Sequence, residues 1–341
     1  LARTYHEPHP SLETYVPIRS RTRTKKRLFG VVPVMTTRGC PYHCDFCCVH
    51  DIFGRTIRHV PVENVVRDIV DSGGKFFLFL DDNIVGDPLY AKALFRAIEP
   101  LRIKWGGQAS ITFGNNTELM KLAVKSGCEA LFFGLESVST SQLQRMRKSI
   151  KDLVKVEETI KKIKDAGIYF HPSIIFGFDD DTRDTFPETL HFLEKNRISS
   201  VSLNVLTPYP GTRTYRQFRE EGRLITDNWR YYDHVTAVFK PKNMSPFELQ
   251  AGRLWVAEEF NRLRSVAGRL PFHLDHPLYH ISMNMGLRRS LRDEMNAFPQ
   301  IVEELYPIGE ESACGKSRLS LRSLKFADFI PGRWAQEGRK A

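Results

Sequence analysis

Val31-Val32-Pro33-Val34-Met35-Thr36-Thr37-Arg38-Gly39-Cys40-Pro41-Tyr42-His43-Cys44-Asp45-Phe46-Cys47 joins an apolar run to three cysteines packed into eight residues. Val31–Thr36 reads as a β-strand, and the cysteine loop follows directly on it. The spacing is C-x3-C-x2-C. Three thiolates on one short loop suit an iron–sulfur cluster, and a [4Fe–4S] cube normally takes four. With three offered, one iron keeps an open position, which implies chemistry at that iron. Gly39 allows the tight turn by which such a loop wraps a cluster. Cys48 is set apart, because neighbouring side chains diverge along an extended chain. Cys40, Cys44 and Cys47 therefore read as the ligands, and Cys48 as a packing neighbour.

Outward from the loop, short apolar runs alternate with amphipathic ones. Val62–Ser72 has helical spacing and stops at Gly73-Gly74. Phe76–Leu80 is an unbroken apolar run, as expected of a strand buried on both faces. The pattern continues with a helix at Pro88–Ile98, a strand at Ile103–Ala109 and a helix at Thr117–Lys125. A strand at Ala130–Gly134, a helix at Leu153–Ala166 and a strand at Tyr169–Phe176 follow. A helix at Arg183–Lys195 and a strand at Ser200–Leu206 complete the series. Six such units predict an α/β fold, a partial (β/α)6 TIM-like barrel of parallel strands, with the chemistry at the C-terminal ends of the strands. Beyond Leu206 the alternation fails. Ala237–Lys240 reads as an edge strand, and Pro246–Ser265 as one long helix with an apolar face that includes Leu249, Phe260 and Leu263. Residues 1–29 read as a basic N-terminal segment, 30–215 as the barrel core, and 216–341 as a mainly helical appendage with a poorly ordered end.

The chain has 341 residues, 41% of them hydrophobic, and a net charge of +10. No run of about 18 apolar residues occurs, so no transmembrane helix is expected. The first residues, Leu1-Ala2-Arg3, lack an initiator methionine and an apolar signal core, which reads as a piece of a longer chain. Four of the six cysteines fall within nine residues, unlike a disulfide framework, and this favours a reducing, cytoplasmic setting. Arg19, Arg21, Arg23, Lys25, Lys26 and Arg27 form a basic run that reads first as a solvated linker and second as a surface for nucleic acid or anionic lipid.

Cys40-x3-Cys44-x2-Cys47, with Phe46 ahead of the last cysteine, resembles the radical S-adenosylmethionine (radical SAM) superfamily. The resemblance implies that SAM chelates the fourth iron and is cleaved reductively to a 5′-deoxyadenosyl radical. It extends over residues 30–215 through the strand ends, in order. Phe46 is placed beside the adenine. Phe79-Leu80-Asp81-Asp82 stands where a Gly-Gly-Glu-like motif is common, and is similar to the branch that carries a cobalamin-binding domain. Asp81 or Asp82 is placed on the SAM amino group, and Ser110, with Gln108, on SAM or substrate. Gly134-Leu135-Glu136-Ser137, followed by the basic Arg145-Met146-Arg147-Lys148, puts Glu136 on SAM or its ribose; Val138 replaces the usual glycine. Ile175 falls in a segment that packs the adenine, although for this side chain alone core packing is the better reading. Asp179-Asp180-Asp181 reads as a helix cap. Tyr209-Pro210-Gly211-Thr212 recurs in the same branch.

The expected cofactors are thus a [4Fe–4S] cluster, SAM and cobalamin, and the expected reaction is methyl transfer to an unactivated carbon. A cobalamin domain usually precedes the barrel, and residues 1–29 are too few to form one. Expected partners are a small-molecule or lipid-like substrate and a reductant such as flavodoxin or ferredoxin. Two readings compete. One is an RNA-modifying, methylthiotransferase-like enzyme, for which Cys128 and Cys314 are too few for a second cluster. The other is a zinc-bearing nucleic-acid-binding module using Cys40, His43, Cys44 and Cys47, which leaves the βα alternation unexplained.

Overall fold

The computed structural model describes residues 11–15, 17, 30–54, 56–139, 153–269 and 277–306. The basic run at 19–27, the basic stretch Arg145–Lys148, Cys314 and the tail from 307 onward lie outside the described residues.

Eight strands are present among the described residues. They are β1 (Val31–Val34), β2 (Thr37–Arg38), β3 (Arg58–His59), β4 (Phe76–Phe79), β5 (Lys104–Ser110), β6 (Cys128–Glu136), β7 (Tyr169–Phe176) and β8 (Ser202–Val205). Six of them run in the hydrogen-bonded order β1-β4-β5-β6-β7-β8, and β2 and β3 form a separate pair. The pairs β1–β4, β4–β5, β5–β6 and β7–β8 are parallel. This is the α/β, partial-barrel sheet that the alternation predicts. Between the strands lie α1 (Val49–Phe53), α2 (Val62–Ser72), α3 (Pro88–Ile98), α4 (Thr117–Lys125), α5 (Leu153–Asp165) and α6 (Thr185–Lys195). They are followed by α7 (Arg213–Glu220), α8 (Pro246–Phe260), α9 (Leu263–Gly268) and α10 (Pro277–Leu305).

The chain divides into two compact units. The first takes in residues 1–134 and most of 147–170; the second takes in 135–146 and 171–341. In the first unit the sheet core is aromatic. Trp105 packs edge-on against Phe79 at 5.2 Å and stacks on Phe95 of α3 at 5.1 Å. Its indole N–H reaches the Ser126 carbonyl at 3.1 Å, so the buried donor is satisfied. The unbroken apolar run Phe76–Leu80 is not buried on both faces, as expected from sequence. Phe77 and Phe79 are 3% and 1% exposed, whereas Phe76, Leu78 and Leu80 are 45–49% exposed. Burial thus alternates along β4, one set of side chains buried and the other half-exposed among the described residues.

The second unit departs further from the sequence reading. Pro246–Ser265 is two helices rather than one. A capping box between Ser245 and Glu248 starts α8 where expected. At its end the Asn261 side chain donates to the Ala257 carbonyl at 2.8 Å, and Arg262 is extended, so Leu263 begins a new helix and is 72% exposed. Ala237–Lys240 is not a strand; it makes one antiparallel bridge, Leu224 to Phe239. Asp179–Asp181 do not cap α6. Asp181 instead accepts from the Gly177 and Phe178 amides at 2.7 and 3.0 Å, and Asp179 pairs with Arg223 and Lys242.

Candidate metal centre and cofactor site

The cysteine loop leaves β2 and returns through β3, which pair at Thr37–His59 and Arg38–Arg58. This short ladder, invisible to hydropathy, closes the base of the loop. Gly39 sits at φ +98°, and a Cβ there would stand 2.6 Å from the Thr56 carbonyl oxygen, so the turn requires glycine. Within the loop the Cys47 amide donates to the Cys44 carbonyl at 3.0 Å, and α1 starts just after Cys48.

Cys40, Cys44, Cys47 and Cys48 are all half-buried. Burial pushes the Cys47 thiol up to about 12, and its neighbours Cys44, Cys48 and Cys40 add to that push. Among the described residues, no three His, Cys, Asp or Glu side chains already converge as a metal-binding group. Three thiols on one loop, each retaining access, are a donor set that fits an iron–sulfur cluster.

Two carboxylates at the end of β4 hold the loop's entry. Asp81 Oδ1 accepts from the Thr36 amide at 3.2 Å, the Thr36 hydroxyl at 2.8 Å, the Thr37 hydroxyl at 2.6 Å and the Thr37 amide. Its Oδ2 is buried without a hydrogen-bond partner. Burial raises the Asp81 carboxyl to about 6, against the lowering effect of the threonine donors. Asp82 Oδ2 accepts from the Gly39 amide at 3.0 Å. Ser110, at the end of β5, forms a hydroxyl group with two residues that sequence reasoning missed. Its Oγ is 2.7 Å from Thr112 Oγ1, and Tyr42 Oη, from the cysteine loop, is 2.9 Å from Thr112 Oγ1. The Ser110 amide donates to Asn83 Oδ1 at 3.2 Å. Phe46 is half-buried in the loop. The His43 and His50 rings stack at 3.9 Å, and His50 Nε2 contacts the Tyr42 carbonyl.

Asp81, Asp82 and Ser110 are thus gathered with the three cysteines in the first unit. Glu136 and Ile175 belong to the second. Glu136, the last residue of β6, is 9% exposed at φ +71°, and the Ser137 amide donates across it to the Leu135 carbonyl at 3.0 Å. That tight turn forms although Val138 occupies the place of the usual glycine. Ile175 is the one residue of β7 that is half-buried rather than buried.

Residues 34–193 match the model of the radical SAM superfamily. The chain is 31% identical over 225 residues to bacteriochlorophyllide d C-12(1)-methyltransferase of Chlorobaculum tepidum, covering 64% of this chain and 49% of that protein. It is 26% identical over 244 residues to the hopanoid C-2 methylase of Rhodopseudomonas palustris, covering 66% and 46%. It therefore spans about half the length of these relatives. The fold is similar to that of the radical SAM methyltransferase TsrM from Kitasatospora setae, solved with cobalamin and a [4Fe–4S] cluster. The TM-score is 0.51 at 18% identity, over 56% of this chain and 39% of that one. Residues 34–193, which include the three-cysteine loop, thus form a radical SAM domain.

Proposed function

We propose that the protein is a radical SAM methyltransferase whose 30–215 core binds a [4Fe–4S] cluster and SAM, with 216–341 as a helical appendage. The observation that carries the reading is the three-cysteine loop after β1, held by Asp81 and Asp82 on the sheet edge where barrel chemistry resides. Cys40, Cys44 and Cys47 hold the cluster and leave one iron to SAM. When bound, the pair supplies a 5′-deoxyadenosyl radical able to take hydrogen from an unactivated carbon. Phe46, Asp82 and Ser110 of the first unit meet the cofactor; half-buried Asp82 is the better placed of the two aspartates to meet a SAM ammonium. Glu136 offers two oxygens to the ribose hydroxyls.

Cobalamin as methyl carrier is supported by the relation to TsrM, and the substrate class by relatives named for tetrapyrrole and hopanoid methylation. A small-molecule or lipid-like substrate, an external one-electron reductant and a cytoplasmic setting complete the proposal. No helix among the described residues is long and apolar enough to cross a membrane. The methylthiotransferase-like reading gains no support: Cys128 is buried in β6, where its thiol cannot reach a second cluster.

The test is anaerobic reconstitution with iron and sulfide, then dithionite and SAM, with 5′-deoxyadenosine as the readout. Wild-type protein is expected to release it and Cys44→Ala to release none. Undiminished product from Cys44→Ala, or a colourless protein holding one zinc, would overturn the reading. Cobalamin binding by a chain extended to the relatives' length tests the methyl-transfer part.

A further inference from the structure

We propose that Asp81 is a positioning residue for the cysteine loop rather than a contact to SAM, and that Asp81-Asp82-Asn83 acts as one fastening between that loop and the end of β5. The inference rests on the reading of the loop as a cluster site.

Asp81 is 1% exposed, which leaves its carboxylate no face for an incoming ammonium. One oxygen gathers the amides and hydroxyls of both Thr36 and Thr37, the residues that turn the chain out of β1 toward the cysteines. Asp82 takes the next reachable amide, that of Gly39, one residue before Cys40. Asn83 takes the Ser110 amide. The Ser110–Thr112–Tyr42 hydroxyls then lead back into the loop between Cys40 and Cys44. Three consecutive side chains thus fix the loop's entry directly and its interior through Tyr42. The Tyr90 hydroxyl adds a further tie, donating to the Val60 carbonyl at 2.6 Å, while the Val60 amide donates to Thr36 O at 2.8 Å.

The physical need is plain. Three ligands on one short loop must be presented together, and a loop free to spread would lose that arrangement to conformational entropy. Partners that orient metal ligands without touching the metal commonly govern affinity as strongly as some ligands do. A charge-assisted set of four donors on one oxygen is a rigid anchor for this purpose.

The experiment reconstitutes wild type, Asp81→Ala, Asp81→Asn and Thr37→Val anaerobically, with folding checked by circular dichroism. Bound iron and sulfide are measured, followed by the electron paramagnetic resonance spectrum of the reduced protein with and without SAM. Asp81→Ala is expected to retain iron about 10-fold more weakly, and Thr37→Val to shift in the same direction by less. Asp81→Asn keeps an oxygen for the same donors, so it is expected to load like wild type and still show the spectral change on adding SAM. Normal loading of both Asp81→Ala and Thr37→Val overturns the proposal. So does an Asp81→Asn protein that loads fully but no longer responds to SAM, since that marks a charge contact. If wild type itself binds no iron, the cluster reading falls, and this proposal with it.

Discussion

Glu136 holds a backbone geometry that glycine adopts without penalty, φ +71° at the end of β6. A positive φ costs a residue with a Cβ about 1 kcal/mol or more. Strain of that size at a strand's C-terminal end is consistent with a carboxylate placed for its chemistry rather than for stability. Glu136→Gly is therefore expected to raise the unfolding free energy of the apoprotein by about 1 kcal/mol, while abolishing SAM-dependent release of 5′-deoxyadenosine. Denaturant titration and the product assay read the two effects separately. A variant that loses stability and keeps turnover would remove Glu136 from the site. Its role rested on resemblance in the sequence; its strain required the fold. Asp81 illustrates the reverse, because an acidic pair at a strand end cannot reveal which carboxylate is buried under Thr36 and Thr37.

At the scale of elements, β7 and β8 carry a polar ladder in an otherwise buried region. His171 Nδ1 lies 2.6 Å from Ser200 Oγ and its Nε2 lies 2.9 Å from Ser202 Oγ, while Asn204 donates to Ser173 Oγ at 2.9 Å. Burial lowers His171 to about 4, so the neutral ring is favoured in the fold. At the end of β7, Asp181 is raised to about 7, first by burial and further by Asp180 and Asp179, against the two amides it accepts. The signs oppose. The contribution of His171 is present above its ordinary 6.5 and is lost as pH falls toward 4. That of Asp181 is present below its ordinary 3.8 and is lost as pH rises through about 7. Between about pH 4.5 and 6.5 the two offset each other. Asp181→Asn should therefore gain thermal stability more steeply than wild type as pH rises across that window. His171→Gln should gain less, or lose. Melting temperatures of the three proteins across the window check this; parallel curves would refute it.

Across the whole molecule, burial separates the two sides of the first unit's sheet. Val32 and Phe77 pack around Gly74, two residues beyond the end of α2, and Phe79, Trp105 and Phe95 continue that core. Val31, Phe76, Leu78 and Leu80 alternate with them and remain 42–49% exposed. Phe77→Ala is expected to cost about 3–5 kcal/mol, and Leu78→Gln to stay within about 0.5 kcal/mol, as measured by guanidinium unfolding. Equal losses would mean that both faces are packed.

The sequence by itself determined the βα alternation, the start and stop of α2, α3 and α4, and the chemistry of the cysteine loop. These follow from local causes: helical periodicity, glycine stops and thiol spacing. Only tertiary structure decided that β4 is buried on one face, since a run of phenylalanine and leucine has no periodicity to read. It also decided that Pro246–Ser265 breaks at Asn261, where a side-chain amide competes for the helix's last carbonyls. Thr36, Thr37, Tyr42, Asn83 and Thr112 entered the site in the same way. A threonine hydroxyl has no signature of its own, and its partner lies 45 residues away at Asp81. The loop's three cysteines were legible as a pattern along the chain; what holds the loop in place depends on which strands lie side by side.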